Sequence, residues 1–269
     1  MQPEISCEGV RKVYGQGASA FEAVNSATFS VEKGEFVALL GPSGCGKSTL
    51  LMMIAGLESV TDGQVLAGGT PITEPRAEIG IVFQDPTLLP WKTALQNILF
   101  PIEMMHRSRA AHLDRATELL RLVGLLDAAN KRPGQLSGGM KQRVSLCRAL
   151  IAVPSILLMD EPFSALDAIT RDDMNIVLLA LWERYRKTVL FVTHSILEAA
   201  LLSDRVLIMG GSPSTIIADI KVPFARPRHF TIGETPQFNA LCATLRDEIT
   251  RARQMQVSRD IGHRDTYHG

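Results

Sequence analysis

Net charge is the first thing missing: 28 lysines and arginines balance 28 aspartates and glutamates. The chain therefore has no overall field with which to hold a polyanionic nucleic acid or an anionic membrane surface. Cysteine is scarce, with Cys7, Cys45, Cys147 and Cys242 far apart. They form no CxxC pair and no His/Cys spacing of the kind a structural zinc requires, which points to a reducing, cytosolic compartment. No stretch reaches the roughly 18 consecutive apolar residues of a membrane span. The opening MQPEISCEGV has neither the basic nor the apolar region of a secretion signal. The expectation is a chain neither secreted nor membrane-spanning. Internal repeats and low-complexity tracts are also absent, so a single copy of one module is expected. Aromatics make up only 6%, yet 46% of the residues are hydrophobic, enough for one large or two small domains with a full core.

What is present is an alternation of apolar β-favouring runs with helical patterns, the signature of an α/β fold with a largely parallel sheet. Phe36 to Leu40 reads as a buried strand that enters the glycine-rich turn Gly41 to Gly46. A helix follows over Lys47 to Ala55, with Leu50, Leu51 and Ile54 on its apolar face. Further strands are expected at Ile79 to Phe83, Ser155 to Met159, Val189 to Thr193 and Val206 to Met209. Between about Pro86 and Val153 helical periodicity takes over, for instance Leu113, Ala116, Leu119, Leu120 and Val123. The division expected is a nucleotide-binding α/β core over residues 1–85 and 154–225, a helical subdomain over 86–153, and a C-terminal helix and tail over 226–269. Phe238, Leu241, Leu245 and Ile249 mark that helix. The polar end beyond about Thr250, with Arg251, Arg253, Arg259 and Arg264 set against Asp260 and Asp265, is expected to fray.

Three segments carry chemistry. Gly41-Pro42-Ser43-Gly44-Cys45-Gly46-Lys47-Ser48-Thr49 contains the spacing GxxxxGK[ST]. Glycines let backbone amides curl around phosphates at a helix amino terminus, Lys47 adds a point charge, and the Ser48 hydroxyl can ligate magnesium. The strand ending in Met159 delivers Asp160 to the carboxyl end of a sheet, within reach of that magnesium. Glu161 is then placed to orient or deprotonate water. Leu136-Ser137-Gly138-Gly139-Met140 opens a second helix with an anion-binding end, whose apolar stripe includes Val144, Cys147 and Ile151.

Leu136-Ser137-Gly138-Gly139-Met140-Lys141-Gln142-Arg143 resembles the signature motif of ATP-binding-cassette ATPases, with Met140 where the family usually has glutamine. The resemblance implies a P-loop NTPase (RecA-like) core with a parallel central sheet, an antiparallel β portion at the N-terminus and an inserted α-helical subdomain. It implies that Tyr14 stacks on adenine, that Gln84 senses magnesium and water, and that Ser164-Ala165-Leu166-Asp167 is a D-loop lying across a dimer interface. By the same resemblance His194 contacts the γ phosphate, followed by Ser195 where aspartate is usual. ATP and magnesium are the implied cofactors, with Ser48, Gln84 and Asp160 around the metal, and Ser137, Gly138 and Gly139 completing the site of a second cassette. One cassette per chain implies a homodimer or paired cassette, bound to transmembrane permease subunits at the cytoplasmic face of the cell membrane. Through them it would act with a periplasmic or extracellular solute-binding protein.

Leu88-Leu89-Pro90-Trp91, the LSGGM variant and Val222 to Arg228 resemble the nitrate, sulfonate and taurine importer branch. Trp91 either packs inward or anchors a partner. Cys45, at a helix amino terminus, is either a reactive thiol or a small filler. Non-transport cassette ATPases that act on DNA or ribosomes are the alternative; they resemble this chain less, because it has no long coiled-coil insertion and no second cassette. A guanine-specific enzyme would need NKxD, which Asn130-Lys131-Arg132-Pro133 misses at its last position.

Overall fold

The computed structural model describes residues 2–17 and 20–264, with side chains as far as Gln256. The chain opens with strands β1 (Ile5–Tyr14), β2 (Phe21–Val31) and β3 (Phe36–Leu40), helix α1 (Lys47–Ile54), and strands β4 (Asp62–Ala67) and β5 (Thr70–Pro71). Strand β6 (Ile79–Val82), helices α2 (Ala94–Met104), α3 (Leu113–Leu122) and α4 (Gly138–Leu150), strand β7 (Ile156–Asp160) and helix α5 (Ala168–Tyr185) follow. The chain then runs through β8 (Thr188–Val192), α6 (Ile196–Leu202), β9 (Arg205–Gly211), β10 (Ser214–Lys221) and α7 (Pro236–Arg264). Two compact units result: residues up to Arg76 together with those from Thr188 on, and residues Ala77–Lys187.

In the first unit the strand order is β5-β4-β1-β2-β10-β9-β3-β8. The strands at the N-terminal end pair antiparallel, β1 with β2 and with β4. The other end is parallel, β3 lying between β8 and β9. All five residues of β3 and all five of β8 are buried, as continuous apolar strands between parallel neighbours require. Strand β10 turns back antiparallel on β9 and touches β2 at Ser214, joining the two halves of this sheet.

The second unit holds the parallel pair β6 and β7, in register from Ile79 opposite Ile156 to Val82 opposite Met159. Helix α4 packs on α2, α3, α5 and β6. This unit is larger than the helical segment 86–153, because β6, β7 and α5 pack with the helices rather than apart from them. Helix α2 begins at a capping box in which Thr93 and Gln96 bond each other's backbone amides.

The strand expectations at Phe36 to Leu40, Ile79 to Phe83, Ser155 to Met159 and Val189 to Thr193 hold to within a residue at each end, and β9 starts one residue before the expected Val206 to Met209 and ends two after it. The C-terminal expectation is corrected. The helix does not fray after Thr250 but continues to Arg264. Phe238, Leu241, Cys242 and Leu245, at three- and four-residue spacing, and Ala252 two turns further on form one buried stripe against β9 and α6. The side chains of Arg259, Asp260, His263 and Arg264, and residues 265–269 altogether, lie outside the described residues. By its contacts, 226–264 falls within the first unit.

Helix α7 is seated by a notch. A Cβ on Gly210 would meet the Ala252 Cβ at 2.6 Å, and Ala252 is itself fully buried. Gly210→Ala is expected to lower stability by about 1–3 kcal/mol through overpacking. Urea unfolding measures this; an unchanged midpoint would mean that α7 does not rest on β9 at this point.

Candidate functional site

The phosphate-loop segment follows from the burial of β3. A fully buried strand brings Gly41 against β9, where any side chain on Gly41 would strike the Met209 carbonyl oxygen at 2.4 Å. The loop then turns through Gly44 and Gly46, with φ of 77° and 86°, values that favour glycine. Lys47 is 5% exposed, and its ammonium donates to the carbonyls of Gly41 at 3.0 Å and Pro42 at 2.9 Å. Ser43, Gly44 and Ser48 form the exposed rim. No side chain caps the amino terminus of α1, so its first amides face this rim. Cys45 is 1% exposed, its thiol directed at the Met209 carbonyl at 3.8 Å, which is the filler reading rather than the reactive one.

Parallel pairing of β3 with β8 sets Leu39 opposite Val192, so both strands end at the same edge. The Thr193 amide donates to the Leu39 carbonyl at 3.3 Å, and His194 follows, exposed. The connector is clamped: Ser195 N–H donates to the Thr193 hydroxyl at 3.0 Å, and that hydroxyl donates to buried Glu198. Ser195 Oγ caps α6 by accepting from the Glu198 amide at 3.3 Å. Serine caps a helix about as well as the aspartate usual at this position in resembling proteins, so the departure leaves the local geometry intact.

Tyr14, 38% exposed at the end of β1, has the Lys12 ammonium 5.0 Å from its ring centroid. Lys12 is buried and held by Glu58 at 2.6 Å and the Ser59 carbonyl at 2.7 Å. The bond from Lys12 holds the Glu58 carboxyl below its ordinary value. Tyr14 and the loop are linked through β2: Gly46 approaches Val24, which stands opposite Lys12 in the β1–β2 register.

In the second unit, β6 and β7 run parallel and bring Gln84 and the Asp160-Glu161 pair to one sheet edge. Gln84 is exposed, and both acids are half-buried. Glu161 has φ 43°, a left-handed backbone unusual for a residue with a side chain, and its carbonyl accepts from Ser164 N–H at 3.2 Å and from Ser164 Oγ at 2.9 Å. Strain of this kind gathers where a side chain must be aimed. Asp167 ends the turn as the cap of α5, accepting from the Thr170 amide at 3.0 Å and the Thr170 hydroxyl at 2.7 Å. The Thr170 amide, followed by its hydroxyl, holds the Asp167 carboxyl below the usual range.

Ser137 caps α4, accepting from the Met140 amide at 3.3 Å, and Ser137 and Gly138 are exposed while Gly139 is buried. A Cβ on Gly139 would lie 2.4 Å from Thr170 Cγ2, so the start of α4 and the start of α5 meet at a point only glycine allows. A groove of about 480 Å³ lined by Gln84, Asp85, Gly138, Lys141, Ala165 and Leu166 joins these segments.

Several supports were not visible in the sequence. Buried Gln142 donates to the Phe83 carbonyl at 3.0 Å, and Arg148 donates to the carbonyls of Pro86 at 2.7 Å and Thr87 at 2.9 Å. Both side chains of α4 thus hold the segment that carries Gln84. Asn97, fully buried, satisfies its amide on the carbonyls of Leu89, Lys92 and Thr93, which pins the Leu88–Trp91 loop. Trp91 itself is 66% exposed, so it is not core. These residues carry no sequence signal, because their partners are main-chain carbonyls, distant along the chain for Gln142 and Arg148 and local for Asn97.

Metal-ligating residues do not gather in groups of three or more His, Cys, Asp or Glu among the described residues. Ser48 in the first unit, and Gln84 and Asp160 in the second, each offer the oxygen donors that a hard cation such as magnesium prefers, a cation that keeps few protein ligands and takes the rest from phosphate and water.

The ABC transporter family model matches residues 24–164, more than half of the chain. The bicarbonate transport ATP-binding protein CmpD of Synechocystis sp. is 45% identical over 227 residues, covering 83% of this chain and 80% of that protein. The nitrate import ATP-binding protein NrtD of Synechococcus elongatus is 42% identical over 246 residues, 90% of each chain. The taurine import ATP-binding protein TauB of Burkholderia pseudomallei is 41% identical over 255 residues, 92% of this chain and 97% of that one. Among solved structures, the dimeric post-hydrolysis state of the ATP-binding cassette MJ0796 bound to ADP and Pi superimposes with a TM-score of 0.72 at 33% identity, covering 82% of this chain and all of that one. A glycine loop closed on its own lysine, a strained acid after a buried strand and a serine-capped signature helix thus coincide with similarity along nearly the whole chain, and the protein belongs to the ABC transporter family as an ATP-hydrolysing cassette.

Proposed function

We propose that this chain is the ATPase subunit of an importer for a small oxyanion-bearing solute, working as a pair of copies beneath separate permease subunits. The observation that carries the reading is the pairing of two anion-binding helix ends in one chain, the Lys47 loop and the exposed Ser137-Gly138 start of α4. A chain with one of each needs a second copy to bring a signature end onto a phosphate loop.

The amides from Gly44 to Ser48 receive the phosphates, and Lys47 turns from the Gly41 and Pro42 carbonyls to the β and γ oxygens. Tyr14 stacks on the adenine. Ser137 and Gly139 of the second copy approach the γ phosphate from the other side. Magnesium, held by Ser48 and Asp160 with Gln84 near it, would offset charge on the phosphate oxygens. A water oxygen attacks the γ phosphorus and the bond to the β-phosphate oxygen breaks. Glu161 accepts the water's proton, and His194 holds the γ phosphate by a hydrogen bond. Release of phosphate and ADP reopens the pair, and this closing and opening drives the permease. No described helix is long and apolar enough to cross a membrane, so the permease is a separate partner in this reading.

Bicarbonate, nitrate and taurine appear in the names of relatives of nearly equal similarity, 45%, 42% and 41%. The shared feature of those solutes is a small oxyanion group, and selection among them falls to the solute-binding protein and the permease.

Lys47→Ala removes a charge-assisted contact worth about 1.5–3 kcal/mol, so ATP affinity should fall by roughly ten- to a hundredfold. Equilibrium binding of a fluorescent ATP analogue measures it, and unchanged affinity would contradict the loop assignment. Glu161→Gln should retain ATP binding, lower turnover by about 10² or more, and elute as an ATP-dependent dimer in size-exclusion chromatography; brisk turnover would remove Glu161 as the base. The same variant, used with ATP to capture partners from native membranes, should bring down multi-span subunits. Recovery of ribosomal or DNA-bound proteins instead would overturn the transport role and leave the ATPase chemistry standing.

A further inference from the structure

Arg228 is a buried cation that the hydrolysis scheme does not use. It is 5% exposed and donates to the carbonyls of Leu201 at 3.1 Å and Phe224 at 2.9 Å, and to that of Ser203. Burial brings its guanidinium down to about 10, still charged at neutral pH. Its neighbour Arg226 donates to the Leu202 carbonyl and pairs with Asp204 at 2.7 Å. Asp204 in turn accepts from the Phe36 amide at 3.0 Å at the start of β3. Leu201, Leu202 and Ser203 are the carboxyl end of α6, whose last carbonyls have no partners within the helix. Two arginines from the segment after β10 supply them, at the end where the helix dipole favours positive charge.

The other end of α6 begins at Ser195, one residue after His194. Helix α6 is only seven residues, too short to hold itself. Its position is therefore set from outside: Ala199, Ala200, Leu201 and Leu202 are buried and the helix packs on β3 and α7, while the Thr193–Glu198–Ser195 clamp fixes one end and the two arginines the other. A displacement at the carboxyl end is passed through a rigid two-turn rod to the residue at its start.

We propose that Arg228 is a positioning residue for ATP hydrolysis: by seating the carboxyl end of α6 on the segment 222–228, it fixes the place at which His194 meets the γ phosphate. The inference rests on the reading of His194 given above. The segment is anchored in turn by Phe224, stacked on Phe238 of α7 with centroids 5.9 Å apart, so the C-terminal helix bears on the same histidine.

The test is steady-state ATP turnover and ATP-analogue affinity of the full chain as Arg228→Met, Arg228→Lys, His194→Ala and the Arg228→Met/His194→Ala pair. Arg228→Met should lower kcat by about 10- to 100-fold, as for a misplacement of the order of an ångström. Analogue affinity should change by less than about twofold, since the phosphate loop is untouched. Arg228→Lys, which keeps the charge and some donors, should recover part of the turnover. In the His194→Ala background Arg228→Met should add no further loss. An equal further loss there, or a fall in kcat and affinity together, would show that Arg228 supports the fold at large and overturn the proposal. Full turnover by His194→Ala would overturn both the proposal and the reading of His194, whereas an inactive His194→Ala with an active Arg228→Met would overturn the proposal alone. Should Arg228→Met fail to fold, Arg226→Met, which uncaps only the Leu202 carbonyl and releases Asp204, runs through the same arms.

Discussion

The carbonyl oxygen of Met209 occupies the space that a side chain on Gly41 would need, 2.4 Å from where its Cβ would lie. Around that contact the first unit is assembled. It presses the glycine loop onto β9, leaves room for the Cys45 thiol to point at the same oxygen, and sets the Gly41 and Pro42 carbonyls where Lys47 reaches them. One residue further along β9, Gly210 provides the notch for Ala252 of α7. Two successive positions of one strand thus seat the phosphate loop and the C-terminal helix. Close-packed interiors transmit such displacements instead of absorbing them.

In the second unit the comparable part is α4. Its amino end presents Ser137 and Gly138, its first turn is locked against α5 by Gly139 and Thr170, and its body holds Phe83, Pro86 and Thr87 through Gln142 and Arg148. Partial burial lowers the Arg148 guanidinium from its ordinary value, yet three acceptors on the 86–87 segment keep it satisfied. The start of α4 and the Gln84 segment are therefore tied to each other by hydrogen bonds to backbone that leave little slack between them. The same connected set of bonds extends to the exposed Leu88–Trp91 loop, which Asn97 fixes to α2.

The sequence was most readable where burial is complete on both faces. Strands β3, β7 and β8 are continuous apolar runs, and their ends place the loop, the acid pair and the histidine to within a residue. Strands β1 and β2 defeat a two-residue alternation, because β1 shifts register after Cys7, Val10 and Lys12 and so changes which side chains face inward. Strand β10 is mostly half-buried and lacks a sharp pattern altogether. The continuation of α7 past Ile249 rests on one small residue, Ala252, opposite a glycine more than forty positions away in sequence. Spacing alone identifies the loop glycines and Lys47, while Ser137 stands out only through the resemblance of its segment to the family signature. Gln142, Arg148, Asn97 and Arg228 bond main-chain carbonyls, and any segment offers those, so no pattern of side chains announces them.

Arg228 also explains why this position is not a lysine. Its donors reach the carbonyls of Leu201, Ser203 and Phe224 in three directions, which a planar fork does at once and a single ammonium does only in part. The nearest carboxylate oxygen, on Asp204, is 3.6 Å away and already engaged by Arg226 at 2.7 Å. The buried charge is thus balanced chiefly by carbonyl dipoles and the negative end of α6. Such a balance draws on the helical end of α6, whose last carbonyls the arginines in turn supply with donors. Helix and segment hold each other through these bonds, which makes the stretch between β10 and α7 part of the framework around α6 although it touches no phosphate.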